Sequence, residues 1–194
     1  MSHRNLLMWN PDLRPQLLGY DVYDGTTTTR VSSNAFYDPT AFATIDDARA
    51  AVYTVAAVTT TDEGSPIDTD FDAYGTVGLD VSRWAWDTSV IDLCMLTGKL
   101  MSASGTVFEP VEIRVSLHPY DLPVLVPSFG YLTADEVSFY ANCRGEFAIP
   151  LVRQARVFVH VPSVHLHGLL IVPDDTTVDI RDVTFEPVDI RRNT

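Results

Sequence analysis

Between Asp92 and Val183 the chain is a succession of short alternating runs separated by turn residues, a pattern that leaves few folds open. Val111-Glu112-Ile113-Arg114-Val115-Ser116-Leu117 alternates apolar and polar side chains with period two, so an extended strand would put one set on each face. Leu96-Thr97-Gly98-Lys99-Leu100 precedes it, and a turn at Ser104-Gly105 leads to the expectation of a β-hairpin between the two runs. Val137-Ser138-Phe139-Tyr140, the stretch from Cys143 to Leu151, Arg156 to Pro162 and Leu169 to Pro173 continue the series. Strands this short and this half-apolar close a core by packing sheet on sheet, so the expected fold is all-β, an antiparallel sandwich.

The turns within this part carry a resemblance. Gly98 to Gly105 fits the opening hairpin, and Asn142-Cys143-Arg144-Gly145-Glu146-Phe147 the later glycine turn, of the carboxypeptidase regulatory-like (transthyretin-like) sandwich. Asn142-Cys143 stands where that family usually has Thr-Asp. These motifs are turn glycines and core alternation, so the resemblance implies a fold and no active site.

The first third resembles a fibronectin type III module. Asn5-Leu6-Leu7-Met8-Trp9-Asn10-Pro11 is similar to that family's strand with a core tryptophan, and Leu18-Gly19-Tyr20-Asp21-Val22-Tyr23 to the strand that follows. Ala35-Phe36-Tyr37-Asp38 and Tyr53-Thr54-Val55-Ala56-Ala57-Val58 continue the likeness. On this pattern the chain starts at the second strand, so the first is missing or donated by another segment, and Ala51 stands where the family has its tyrosine-corner ring. The expected organisation is a fibronectin-like module over 1–68, a linker or interface segment over 69–91, and a carboxypeptidase regulatory-like sandwich over 92–194. At 194 residues two such modules fit, each small enough that burial against a neighbour adds to its stability.

Charge narrows the partners. Thirteen basic residues, with Lys99 the sole lysine, against 26 acidic ones give a formal charge of −13. Phosphate backbones are held by clustered Lys and Arg, so direct nucleic-acid binding is not expected. No run approaches the ~18–20 apolar residues of a membrane helix, and Met1-Ser2-His3-Arg4-Asn5 lacks the apolar stretch of a secretory signal, so synthesis and use without export are expected. Cys94 and Cys143 are expected to be reduced thiols.

The residue patterns of catalysis are thin. Asp46-Asp47, Asp68-Thr69-Asp70-Phe71-Asp72, Asp135-Glu136 and Asp174-Asp175 are paired carboxylates among turn residues, the pattern of solvated acidic turns, whereas a catalytic pair needs one carboxyl desolvated. The alternating Asp68, Asp70 and Asp72 have a calcium-loop spacing without the glycine and distal glutamate of an EF-hand. His165 and His167 would share a face if Val164 to Leu169 is a strand, yet two imidazoles are not a metal site. The expectation is no enzyme, no cofactor and no metal.

Two segments carry the remaining signal. Trp84 and Trp86 are spaced to lie on one face of an extended chain, where they would plug the contact between modules or offer a partner-facing or sugar-stacking platform. Leu122, Val124, Leu125, Val126, Phe129 and Tyr131 lie in a segment with Pro119, Pro123 and Pro127, a spacing that forbids a helix and discourages a central strand. Apolar side chains on such an extended loop need a cover, so both segments are candidate partner contacts. Unexported pairs of these two module types resemble accessory virion proteins of tailed bacteriophages, which implies a structural subunit of a head, neck, tail or fibre whose partners are other virion proteins or copies of itself, with the virion as its location. The rivals are an adhesin or carbohydrate-binding module, with glycan as ligand, and, more remotely, an enzyme.

Overall fold

The computed structural model describes residues 2–59, 81–88, 92–101, 110–117, 124–126, 130–132 and 135–186. It is nearly all β. Strands β1 (His3–Trp9), β4 (Ala35–Tyr37) and β6 (Val81–Asp87) form one sheet in the order β4-β1-β6, and β2 (Leu17–Tyr23), β3 (Thr28–Val31) and β5 (Thr54–Thr59) form a second in the order β3-β2-β5. The two close over a core of Leu7, Trp9, Leu17, Tyr20, Val22, Phe36, Val55 and Ala57. At its centre the Trp9 and Tyr20 rings meet edge to face with centroids 5.1 Å apart. Gly19 is obligatory beside this core: its φ is +142°, and a Cβ there would come within 2.2 Å of the Val31 carbonyl oxygen.

The second sandwich packs a five-stranded sheet on a three-stranded one. Its strands are β7 (Leu93–Lys99), β8 (Val111–Leu117), β11 (Val137–Ala141), β12 (Glu146–Val152), β13 (Arg156–Val161), β14 (Leu166–Ile171), β15 (Thr177–Asp179) and β16 (Phe185–Glu186). The sheet orders are β11-β8-β13-β14-β16 and β12-β7-β15. Alternate residues point inward as the period-two reading requires, among them Ile113 and Val115, Phe147 and Ile149, and Val157, Val159 and Val161. Pro150, which cannot donate to a ladder, lies in the edge strand β12. Between these strands, β9 (Val124–Val126) and β10 (Gly130–Leu132) form a separate two-stranded sheet.

Three expectations need correction. Strands β7 and β8 do not form a hairpin: they lie in opposite sheets, β7 beside β12 and β8 between β11 and β13. Alternation fixes which face of a strand is buried and says nothing of which edge it pairs with. Within the segment expected to join the modules, residues 81–87 are instead a strand of the first sandwich, matched to β1 from His3↔Asp87 to Trp9↔Val81. His165 lies outside any strand, left-handed at the end of a 3-10 turn, and the residue directly across from His167 is His160. Asp68, Asp70 and Asp72 lie outside the described residues.

The strand run of β1 is apolar on both faces because both are covered. Leu7 and Trp9 enter the first core, whereas Leu6 packs with Tyr37 and Leu93 in a separate cluster bordered by Met8, Met95 and Val152. That cluster draws on both sandwiches, and Ala35 of β4 is itself part of the second core.

Candidate functional site

The contact between the sandwiches is fastened by buried polar side chains. Edge strands β11 and β12 lie on the same side of the second sandwich, where unpaired backbone groups invite either water or another chain. The short connection from β3 to β4 meets them. Ser33 Oγ accepts from Ala148 N at 3.2 Å, and Asn34 Oδ1 accepts from Tyr140 N at 3.0 Å while its Nδ2 donates to the Trp9 carbonyl at 3.1 Å. From the other side, the turn after β11 reaches β2: Asn142 Nδ2 donates to the Leu18 carbonyl at 2.8 Å and Cys143 N to the Leu17 carbonyl at 2.7 Å. Ser33, Asn34 and Asn142 are all nearly inaccessible to solvent. Polar groups buried with their partners made stabilise modestly and specify geometry strongly.

Ionic groups complete the seam at its rim. The Tyr37 hydroxyl donates to Asp92 Oδ1 at 2.8 Å, and Arg153 pairs with the other oxygen of that carboxylate at 2.9 Å. Burial, and then the adjacent Asp92 carboxylate, push the Tyr37 phenol upward. In the first sandwich, Tyr53 donates to Asp38 Oδ2 and accepts from Asn5 Nδ2, the latter at 2.9 Å. A tyrosine hydroxyl thus anchors this corner from two residues beyond Ala51.

Where the seam ends, a groove opens. The face of the β4-β1-β6 sheet that carries Leu6 and Met8 is covered by the second sandwich over β4 and β1, and β6 extends past the cover. Strand β6 forms one wall with Ser82 and Trp84; Met8, Trp9 and Asn34 lie at the bottom; Ser138 and Tyr140 of β11 form the other wall. Asn10 and Pro11 close one end of a space of about 360 Å³. Trp84 is 44% exposed, so its ring does not plug the seam. Of Trp86 the structure fixes the backbone register opposite Arg4.

Behind the β11 wall lies a charged cluster on the outer face of the five-stranded sheet. Arg114 pairs with Glu112 at 2.9 Å and with Glu136 at 3.7 Å, and Ser138 Oγ donates to Glu112 Oε1 at 2.8 Å. The Arg114 guanidinium holds the Glu112 carboxyl below its usual range, and burial followed by the Glu112 charge raises Tyr140. His160 stands directly across from both Arg114 and His167 in the strand register. Among the described residues no three acidic, histidine or cysteine side chains gather as a metal site would need.

The proline-spaced segment falls in two classes. Leu122 and Phe129 lie outside the described residues, whereas Val124, Leu125, Val126 and Tyr131 lie in β9 and β10, with Leu125 opposite Tyr131. Among the described residues that hairpin pairs with no strand of either sandwich. Beside the end of β8 at Leu117, an apolar slot of about 150 Å³ lies between β11 and β12, lined by Leu117, Val137, Phe139 and Leu151. Sequence reasoning missed the slot and the groove, since both are assembled from residues far apart in the chain.

No protein-family model matches the chain, and no curated protein matches it.

Proposed function

We propose that this protein is a non-enzymatic structural subunit of a larger assembly, an accessory virion protein of a tailed bacteriophage. The observation that carries the structural role is the hairpin of β9 and β10: two strands that follow β8 in sequence and, among the described residues, pair with each other and with no strand of either sandwich. A two-strand ribbon with no sheet of its own to join is marginal in water, and a partner that covers it supplies the missing burial. The seam supports the same reading, because it joins two sandwiches into one spacer with a fixed relative orientation. Resemblance of the module pairing supports the phage assignment.

Light scattering on the purified chain, alone and mixed with a virion extract of its host phage, tests the reading. The expected result is a defined assembly that Val124→Ser, Leu125→Ser and Phe129→Ser together abolish while the subunit stays folded. If assembly survives the triple change, the contact lies elsewhere; if the subunit itself unfolds, the segment folds back on its own sandwich and the docking role fails.

A further inference from the structure

We propose that the groove between β6 and β11 is a binding site for a neutral saccharide, with one sugar ring stacked on Trp84. The site is distinct from the assembly surface proposed above, being built from the walls of the seam and not from the β9–β10 hairpin.

The shape is the first argument. A volume of about 360 Å³ lies at the lower end of the roughly 300–1,000 Å³ of small-ligand clefts, enough for a short oligosaccharide segment lying along the seam. The aromatic platform is the second. An indole left 44% exposed at a domain junction presents a broad apolar face that water solvates poorly, and the carbon-bound hydrogens on one side of a pyranose ring fit such a face. The strand that carries Trp84 is also well held: the Arg83 guanidinium binds the Ala51 and Arg49 carbonyls at the end of the short helix α1 (Ile45–Ala50), which ties β6 down from its opposite face. A fixed platform loses little freedom when a ligand arrives.

The lining decides the ligand class. A fifth of this chain is charged and its net charge is −13, yet among the described residues no charged side chain lines the groove. What lines it besides aromatic and apolar surface is hydroxyl and amide: exposed Ser82 and Asn10, and the partly exposed Ser138 and Tyr140. Ser138 spends its proton on Glu112, which leaves its oxygen as an acceptor for a ligand hydroxyl. Uncharged donors and acceptors beside an aromatic face suit a hydroxyl-rich, uncharged ligand. An anionic one would meet a strongly negative protein with no counter-charge in the site.

A glycan array probed with the fluorescently labelled intact chain tests this, followed by calorimetric titration of the best-bound neutral oligosaccharide. The expected result is saturable binding to neutral glycans, weakened about tenfold or more in Trp84→Ala, a loss equivalent to ~1.4 kcal/mol. Met101→Ala, which removes an exposed apolar side chain elsewhere, should leave binding unchanged. Equal thermal unfolding of the three proteins shows that the loss is local; if Trp84→Ala unfolds, Ser138→Asn, which fills the groove from the opposite wall, replaces it with the same expected loss. No glycan bound, binding to acidic glycans alone, or binding that survives the substitution would overturn the assignment. So would displacement of every bound sugar by an extended alanine-serine peptide, which would mark the groove as a peptide cleft along the edge of β11.

Discussion

Replacing Asn142 by Ala tests whether the two sandwiches are one cooperative body. The side chain makes four hydrogen bonds: Oδ1 accepts from Arg144 N and Glu146 N at 2.9 Å each, and Nδ2 donates to the Leu18 carbonyl at 2.8 Å and to Glu146 Oε2 at 3.1 Å. The Arg144 amide lies in an exposed turn and regains a water, so its loss costs little. The other three are worth about 1 kcal/mol each, and a buried Leu18 carbonyl left without its donor adds a desolvation penalty of the same order. The expected cost is about 2–4 kcal/mol, a large fraction of the ~5–15 kcal/mol typical of a folded domain. The assay follows from the distribution of tryptophan. All three, Trp9, Trp84 and Trp86, lie in strands of the first sandwich, so with Trp84, which also faces β11 across the groove, changed to Phe in every protein compared, fluorescence in urea follows the first sandwich while circular dichroism reports both. Asn142 lies in the second. If the seam couples them, the fluorescence midpoint falls with the dichroism midpoint; a fluorescence transition unmoved by the substitution, or a cost below ~0.5 kcal/mol, would refute the coupling. Asn142→Asp sharpens the test, because it keeps the acceptor for the turn amides and loses the donor toward Leu18 and Glu146, where a carboxylate oxygen would face a carbonyl and a second carboxylate. It should destabilise at least as much as alanine.

Trp9→Ala should cost roughly 3–5 kcal/mol in the same urea titration, since the ring is buried against Tyr20 at the centre of the first core; a loss under ~1 kcal/mol would show that the core is centred elsewhere. Burial raises the phenols of Tyr20, to about 12, and of Tyr37 and Tyr53, the last two reinforced by the Asp92 and Asp38 carboxylates. A phenol whose folded value is raised stabilises fully below its ordinary value near 10 and loses that contribution as pH rises through the folded value, so absorbance at the phenolate band should show part of the tyrosines ionising only with alkaline unfolding, and complete ionisation near pH 10 in folded protein would contradict the burial. Cys94 is fully buried and Cys143 partly so, and burial pushes both thiols up; a disulfide reagent should therefore react slowly with Cys143 and with Cys94 only after unfolding, counting two thiols in denaturant without reductant. A fragment of residues 1–68 should fail to fold, since it lacks every β1–β6 pair and the cover over Leu6 and Tyr37; dispersed amide resonances from it would refute this.

How much of this was legible in the sequence depends on the range of the interaction. Strands over Val111–Leu117 and Arg156–Val161 could be read from alternation, because burial of one face is a local property of a pleated chain. Their partners could not, since strand pairing is decided by connections that a period of two does not encode. The same limit hid β6: the spacing of Trp84 and Trp86 gave an extended chain with both on one face, yet its partner β1 lies more than seventy residues earlier. Ser33, Asn34 and Asn142 read as turn residues, which they are. Their burial comes from the other sandwich, and only the folded molecule shows it. The groove is the extreme case, its floor and walls coming from four places in the chain, residues 8–11, Asn34, residues 82–84 and residues 138–140.

The position of β6 ties these features together. Strand β5 belongs to the β3-β2-β5 sheet, and the next described strand, β6, lies in the opposite sheet beside β1. From there the next described strand is β7, which enters the second sandwich next to β12. The strand that completes the first sandwich is therefore also the one that delivers the chain to the second, so the contact face of the β4-β1-β6 sheet is finished by the same segment that positions what packs on it. A contact made of a few buried bonds could slide if its two halves were joined by a long tether; here residues 81–87 are held in a ladder of seven pairs with β1. The geometry of the groove follows from that ladder. Its Trp84 wall stands on β6, its Tyr140 wall on the edge strand that Asn34 holds against β1, and the width between them is fixed by the sheet and the seam together.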